Sequence, residues 1–344
     1  MFDITKILRP NIAQLKPYSC ARDEYKGETA TFFDANENPF NGPYNRYPDP
    51  LQIKVKQKIS AIKGVSEEMI FLGNGSDEPI DLVYRAFCEP GKDNVVAIDP
   101  TYGMYVVCAD INNVEYRRVQ LTADFRLEGD KILNATDSNT KLIFLCSPNN
   151  PSSNLLDEKE ILKIINGFKG LVILDEAYID FAGIKGFVPD LKKYPNLIIL
   201  QTFSKAWGMA SVRLGMAFAS PVIINILNKI KYPYNINLLT QQFALKEMEN
   251  VKRKDEWVAT ILSQRTWLKS ELEKLPVIEN VLHSDSNFLM ARVADANKVY
   301  LYLVGKKIIV RNRSSVTLCM GYLRITVGTP EENKLLIKEL KEYK

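Results

Sequence analysis

Six short, β-rich apolar runs recur from about residue 70 onward, separated by amphipathic stretches, and this alternation restricts the chain to a parallel sheet crossed by helices. The runs are IFLG (70–73), NVVAID (94–99), KLIFLC (141–146), LVILD (171–175), NLIILQT (196–202) and RLGMAFA (213–219). Each ends at polar, Gly or Pro residues. On open α/β sheets ligands sit beyond the C-terminal ends of the strands, and most of the conspicuous polar residues of this chain fall there.

The 344 residues suffice for two domains, or for one large domain with an appendage. After Pro221 the character changes: a highly charged helical stretch over 238–274 precedes NFLMARV, KIIVRN and YLRITVG, and a final helix reads EENKLLIKELKEY. The expected division is an N-terminal arm over 1–30, a large α/β domain over 31–237 and a smaller α+β domain over 238–344. The arm carries Pro10, Pro17 and Gly27, lacks a clear period, and is expected to pack on something else.

Composition narrows the chemistry. His283 is the one histidine, which removes every site that needs two imidazoles. Cys20, Cys88, Cys108, Cys146 and Cys319 are odd in number and never spaced as CxxC, so neither a disulfide framework nor a thiolate metal site is expected. A net charge of +4 over this length gives no case for nucleic acid or an anionic membrane as partner. Asp3, Lys6 and Arg9 interrupt the apolar core a signal peptide would need, so a cytoplasmic location is expected. The expected partner is a small molecule.

Five strand-end segments carry the chemistry. In GNGSDEPIDLVYRAF (73–87) a Gly-x-Gly turn opens a helix near Ser76, and the free N–H groups of such a start can cradle a phosphate. Read alone, such a segment is more often a turn capped by Ser76, with Asp77 and Glu78 satisfying the helix dipole. Asp77 and Glu78 would repel a phosphate they faced, so main-chain groups would have to hold it. In TFSKAWGMASVRLG (202–215), Lys205 follows a strand among small and apolar residues, where desolvation favours the neutral, nucleophilic amine. Ser204 and Arg213 could contact a phosphate nearby. In LDEAYIDFA (174–182), Asp175 ends a buried strand and needs a partner: a protonated pyridine nitrogen, or a helix N-terminus that it caps. Tyr178 could bond a ring hydroxyl. SPNNPSSN (147–154) offers Asn150 for a ring oxygen, and DPTYGMY (99–105) offers Tyr102 as a stacking surface.

These blocks, with NENP (36–39) and LRITVGTPEEN (323–333), stand in an order that resembles the fold-type-I pyridoxal-phosphate aminotransferases, from about Pro17 to the C-terminus. More narrowly the order is similar to the branch that moves an amino group between glutamate and imidazole acetol phosphate, giving 2-oxoglutarate and histidinol phosphate in histidine biosynthesis. The resemblance implies pyridoxal 5'-phosphate as cofactor. Lys205 would bond its aldehyde, and Asp175 would pair with its ring nitrogen. Tyr178 and Asn150 would bond the ring hydroxyl, and Tyr102 would stack on the ring. Ser76, Asp77, Thr202, Ser204 and Arg213 would hold its phosphate. Tyr47, in RYPDP, would reach the phosphate of a neighbouring subunit, which implies a homodimer with shared sites. Arg324 would take the substrate carboxylate, and Tyr18 and Asn38 would close over the substrate. A second cation for a substrate phosphate would be Arg22, Arg311 or Arg313.

The motif order also fits an aromatic-amino-acid aminotransferase, a phosphothreonine decarboxylase, or a non-catalytic regulator that keeps the fold. One departure stands out. The family continues SPNNP with Thr-Gly, whereas Ser152 and Ser153 follow here, so Ser153 is expected to be forced toward positive φ at a cost of about 1 kcal/mol or more.

Overall fold

The computed structural model describes residues 2–18 and 30–343. Seven strands, β1 (Ile70–Asn74), β2 (Asn94–Asp99), β3 (Glu115–Gln120), β4 (Thr140–Cys146), β5 (Leu171–Asp175), β6 (Leu197–Thr202) and β7 (Leu214–Phe218), form one sheet in the order β1-β7-β6-β5-β4-β2-β3. Only β7 is reversed, pairing antiparallel with both β1 and β6. The C-terminal ends of the other six therefore share one edge with the N-terminal end of β7.

Alternation along each strand explains why these runs are continuously apolar. Leu72, Val96, Ile143, Val172 and Ile199 face one buried cluster, while Phe71, Val95, Phe144, Ile173 and Ile198 face the other. Both sheet faces are covered, so neither set can be polar. The helix Asp77–Phe87 turns Ile80, Val83, Tyr84 and Phe87 onto the second cluster at helical spacing.

The expected segmentation differs from the structure at β3, in the charged stretch and in the arm. β3 (EYRRVQ) was not anticipated: it pairs only with β2, lies at the sheet edge and is largely exposed, so it needs no apolar run. The charged stretch over 238–274 is two helices, Leu238–Glu247 and Val251–Leu272, with Asn250 capping the second through Arg253 N. Ala244 and Met248 belong to the apolar cluster of the large sheet, so packing does not change at 237/238. The first residues of the arm dock on the same chain: Ile7 is part of the second cluster, and Lys229 Nζ donates to the carbonyls of Ile12 and Ala13.

A second sheet holds β8 (Ile278–Val281), β9 (Phe288–Val293), β10 (Arg311–Asn312) and β11 (Tyr322–Thr326) in the antiparallel order β10-β11-β9-β8. Leu289, Ala291, Leu323 and Ile325 pack with Leu268, Leu336 and Leu340 of the flanking helices. Among the described residues no helix is long and apolar enough to cross a membrane.

Candidate active site

The reversed strand concentrates chemistry at one edge. The loop that leaves β6 at Thr202 returns through β7 at the same edge, so Lys205 and Arg213 stand together beyond the sheet. Ser76, Asp77, Tyr102, Asn150, Asp175, Tyr178, Thr202 and Ser204 join them around one cavity. All ten had been singled out in the sequence, from five separate segments.

Asp175 is buried at the end of β5, where Oδ2 accepts from Tyr105 Oη at 2.7 Å and Oδ1 accepts from Ala177 N at 3.0 Å. Burial raises its pKa to about 6, opposed by those two hydrogen bonds. The Ala177 contact is the cap-like role considered for Asp175. Tyr105 was missed: it lies three residues after Tyr102 on the helix Met104–Ile111, and its full burial was not legible in the motif.

Lys205 Nζ lies 5.4 Å from the centroid of the Tyr178 ring. Burial lowers its pKa, with Arg324 adding to the shift and Asp175 opposing it. The amine is thus biased toward its neutral form and has no ion pair or hydrogen bond among the described residues.

At the start of the helix Asp77–Phe87, the Ser76 side chain makes no cap hydrogen bond, and Glu78 accepts from Asn74 N and Asn235 Nδ2. Asp77 is compensated rather than repulsive, accepting from Tyr102 Oη at 3.0 Å and from Arg213 Nη2 at 3.3 Å. Thr202 Oγ1 lies 3.0 Å from Ser204 Oγ.

Backbone contact sets this shape. A Cβ on Gly215 would stand 2.3 Å from both Gly75 C and Ser76 N, and Gly75 itself has φ +70°. Gly215→Ala is expected to cost about 3 kcal/mol, because neither backbone can retreat without breaking the β1–β7 ladder. Urea unfolding checks this; an unchanged midpoint would show that the turn yields.

Tyr102, Asn150, Tyr178 and Lys205 also line a wider cavity of about 720 Å³, together with Arg311, Arg313 and Arg324 and with Arg118 of β3, which the sequence motifs do not flag. Arg324 Nη1 donates to Asn150 Oδ1 at 2.5 Å, leaving the Asn150 Nδ2 donors for another acceptor. Burial, together with Arg324 and Arg311, lowers the Arg313 pKa to about 10. None of Arg311, Arg313 and Arg324 has a carboxylate within ion-pair distance among the described residues. Asp99, a carboxylate on the same cavity, faces Arg118 at 3.7 Å.

Tyr18, Asn38 and Tyr47 line neither cavity. Tyr18 is exposed, Asn38 accepts from Phe40 N, and Tyr47 stacks on Tyr234 with centroids 4.6 Å apart, at a separate surface. Arg22 lies outside the described residues. Ser153 does take a positive φ, 69°, as the missing glycine requires.

The donor set fits a flat heteroaromatic ring carrying an aldehyde and a phosphate. It provides a buried carboxylate, a desolvated amine, an aromatic face, and a glycine turn with spare hydroxyl and guanidinium donors.

A mostly parallel α/β sheet with this edge defines a fold-type-I transferase, and the chain belongs to the class I and II aminotransferases, whose family model matches residues 24–340. It is 60% identical over 344 residues to the histidinol-phosphate aminotransferase of Bacteroides thetaiotaomicron, covering 100% of this chain and 99% of that one. Its fold is similar to the crystal structure of the histidinol-phosphate aminotransferase from Clostridium acetobutylicum, with TM-score 0.80, 23% identity, and 87% and 90% of the two chains covered. The Sinorhizobium meliloti histidinol-phosphate aminotransferase in complex with pyridoxal-5'-phosphate gives TM-score 0.78 at 22% identity over 88% and 83%.

Proposed function

We propose that this chain binds pyridoxal 5'-phosphate at Lys205 and transfers an amino group reversibly between glutamate and imidazole acetol phosphate, giving 2-oxoglutarate and histidinol phosphate. The observation that carries the choice of substrate is the wall of three arginines without carboxylate partners beside Lys205. One substrate brings a carboxylate and the other a phosphate ester, and a guanidinium fork serves either. The 60% identity to a relative of that name supports the same reading.

When bound, the cofactor supplies an aldehyde carbon and a ring that withdraws electrons from the substrate carbon. Lys205 Nζ, its pKa lowered chiefly by burial, would take the proton from the substrate carbon and deliver it to the carbon that the cofactor contributes as its aldehyde. Asp175 would pair with a positive ring nitrogen, its carboxylate being held by hydrogen bonds from Tyr105 Oη and Ala177 N. Asn150 Nδ2 and Tyr178 Oη bond the ring oxygen, and Tyr102 covers the ring face. The main chain at Ser76 and Asp77, with Thr202, Ser204 and Arg213, holds the phosphate. Arg324 orients the substrate carboxylate or phosphate, and Arg313 and Arg311 match the second charge of the phosphate.

A homodimer belongs to this reading. Phe33, Phe40, Tyr44, Tyr47, Tyr232 and Leu239 are exposed, more large apolar surface than a monomer keeps without purpose. A second copy seated there would bring Tyr47 to its neighbour's phosphate and enclose Tyr18 and Asn38. The cytoplasmic setting expected from the sequence suits such a biosynthetic role.

Titration of the cofactor-loaded protein tests the substrate. Histidinol phosphate is expected to change the visible absorption band at concentrations where phenylalanine does not, and 2-oxoglutarate is expected to be consumed. Equal response to phenylalanine would favour an aromatic aminotransferase. Release of carbon dioxide without consumption of 2-oxoglutarate would favour a decarboxylase.

A further inference from the structure

The turn after β4 is fastened on both sides. Toward the large sheet, Asn149 Nδ2 donates to Pro100 O at 2.9 Å, and Thr101 Oγ1 donates to Asn149 Oδ1 at 3.1 Å. Toward the second sheet, the buried Ser153 hydroxyl shares its one proton between Ser152 O at 2.5 Å and His283 O at 3.0 Å, and the Ser153 carbonyl accepts from Asp285 N at 2.8 Å and Ser286 Oγ at 3.2 Å. Asp285 Oδ2 closes the set by accepting from Leu155 N at 2.7 Å. Its other oxygen faces His283 Nε2 at 2.9 Å, which gives the lone histidine a place in the contact.

This clasp completes a closed circuit. Segment 283–286 runs into β9, Met290 of β9 pairs with Arg324 of β11, and Arg324 reaches back to Asn150, three residues before Ser153. Every link is a hydrogen bond, a strand register or a short length of chain. A second tie lies alongside: Arg265 Nη1 donates to Ser286 O at 2.7 Å and to Phe181 O at 3.3 Å. The clasp ties the segment that leads into β9 to the loop that carries Asn150, and β9 is paired with the β11 strand that carries Arg324.

We propose that Asp285, acting with Ser153, is a positioning residue for the carboxylate substrate: it sets Arg324 against Asn150 without touching substrate itself. The proposal rests on reading Arg324 as the carboxylate-binding arginine. A carboxylate acceptor on a backbone N–H is among the stronger hydrogen bonds, and small displacements of an orienting group carry large kinetic effects.

Calorimetric binding of maleate, a dicarboxylate without an amino group, to the cofactor-loaded protein tests this, with thermal unfolding recorded for each variant. Asp285→Ala is expected to weaken maleate by about five-fold and to raise the KM for glutamate in proportion, while kcat changes by less than about two-fold. Asp285→Asn keeps an oxygen for Leu155 N and is expected to restore binding to within about two-fold of wild type. Arg324→Ala is expected to weaken maleate further than either. Unchanged maleate affinity in Asp285→Ala, with only a lowered Tm, would overturn the proposal, as would equal weakening by the Ala and Asn substitutions. Should Asp285→Ala fail to fold, Ser153→Gly removes the hydroxyl contact while relieving the backbone, and is expected to weaken maleate in the same direction; unchanged affinity there would overturn it. A wild-type protein that does not turn over histidinol phosphate would refute the proposed substrate, and the maleate comparison would still stand.

Discussion

Lys205→Ala is expected to lower transamination by about 10⁴-fold or more, because it removes at once the covalent anchor of the cofactor and the group that carries the proton. No neighbour can substitute. Asp175 and Asp77 are acceptors engaged elsewhere, while the guanidinium groups of Arg213 and Arg324 offer only donors. Two measurements check this: single-turnover formation of 2-oxoglutarate from glutamate, and the visible absorption of protein mixed with pyridoxal phosphate and then desalted. A variant that keeps its band and turns over near the wild-type rate would refute the assignment of this amine.

Asp175→Asn is expected to lower the rate by about 10³-fold, because it preserves the shape of the β5 end but deletes the charge opposite the ring nitrogen. It makes a second prediction that does not involve turnover. The carboxyl has its folded pKa raised from 3.8 to about 6 by burial, so the folded protein binds that proton more tightly than the unfolded chain does. The stability contributed by this group is therefore present below about pH 4 and is lost as pH rises through about 6; the ionised carboxylate of the cofactor-free protein costs on the order of 3 kcal/mol at neutral pH. Without cofactor, the Asn variant is expected to melt above wild type at pH 8, with the gap narrowing toward pH 4. With cofactor the order is expected to reverse, since a cationic ring nitrogen then compensates the charge. A wild-type protein whose Tm gains no more from cofactor than the variant's does would refute the pairing.

Much of this site was legible because its residues occupy places the sheet defines. A strand buried on both faces must be apolar throughout, so LVILD announces both its extent and the anomaly of an acid at its end. The same logic located Lys205, Tyr178 and Asn150, and the missing glycine anticipated the backbone of Ser153. What was not legible lacks that constraint. β3 lies at the sheet edge and β8 is short and mostly exposed, so neither needs the apolar pattern that marks the central strands. Tyr105 reads as an ordinary core aromatic until its hydroxyl is seen against Asp175. Asp285 and Arg265 act on main-chain groups more than 80 residues away in sequence, and no local spacing encodes such contacts.

The reversal of β7 has a consequence for how this chain can diverge. Both anchor points of the segment between Thr202 and Leu214 are locked by cross-strand register, Thr202 against Gly215 and Asn74 against Leu214. An insertion or deletion inside it must either bulge into the cavity or slip the ladder and turn β7's inward side chains over. That segment should therefore keep its length across descendants while connections at the opposite rim of the sheet grow and shrink, and whole-segment exchange between relatives is the tolerable way to vary it.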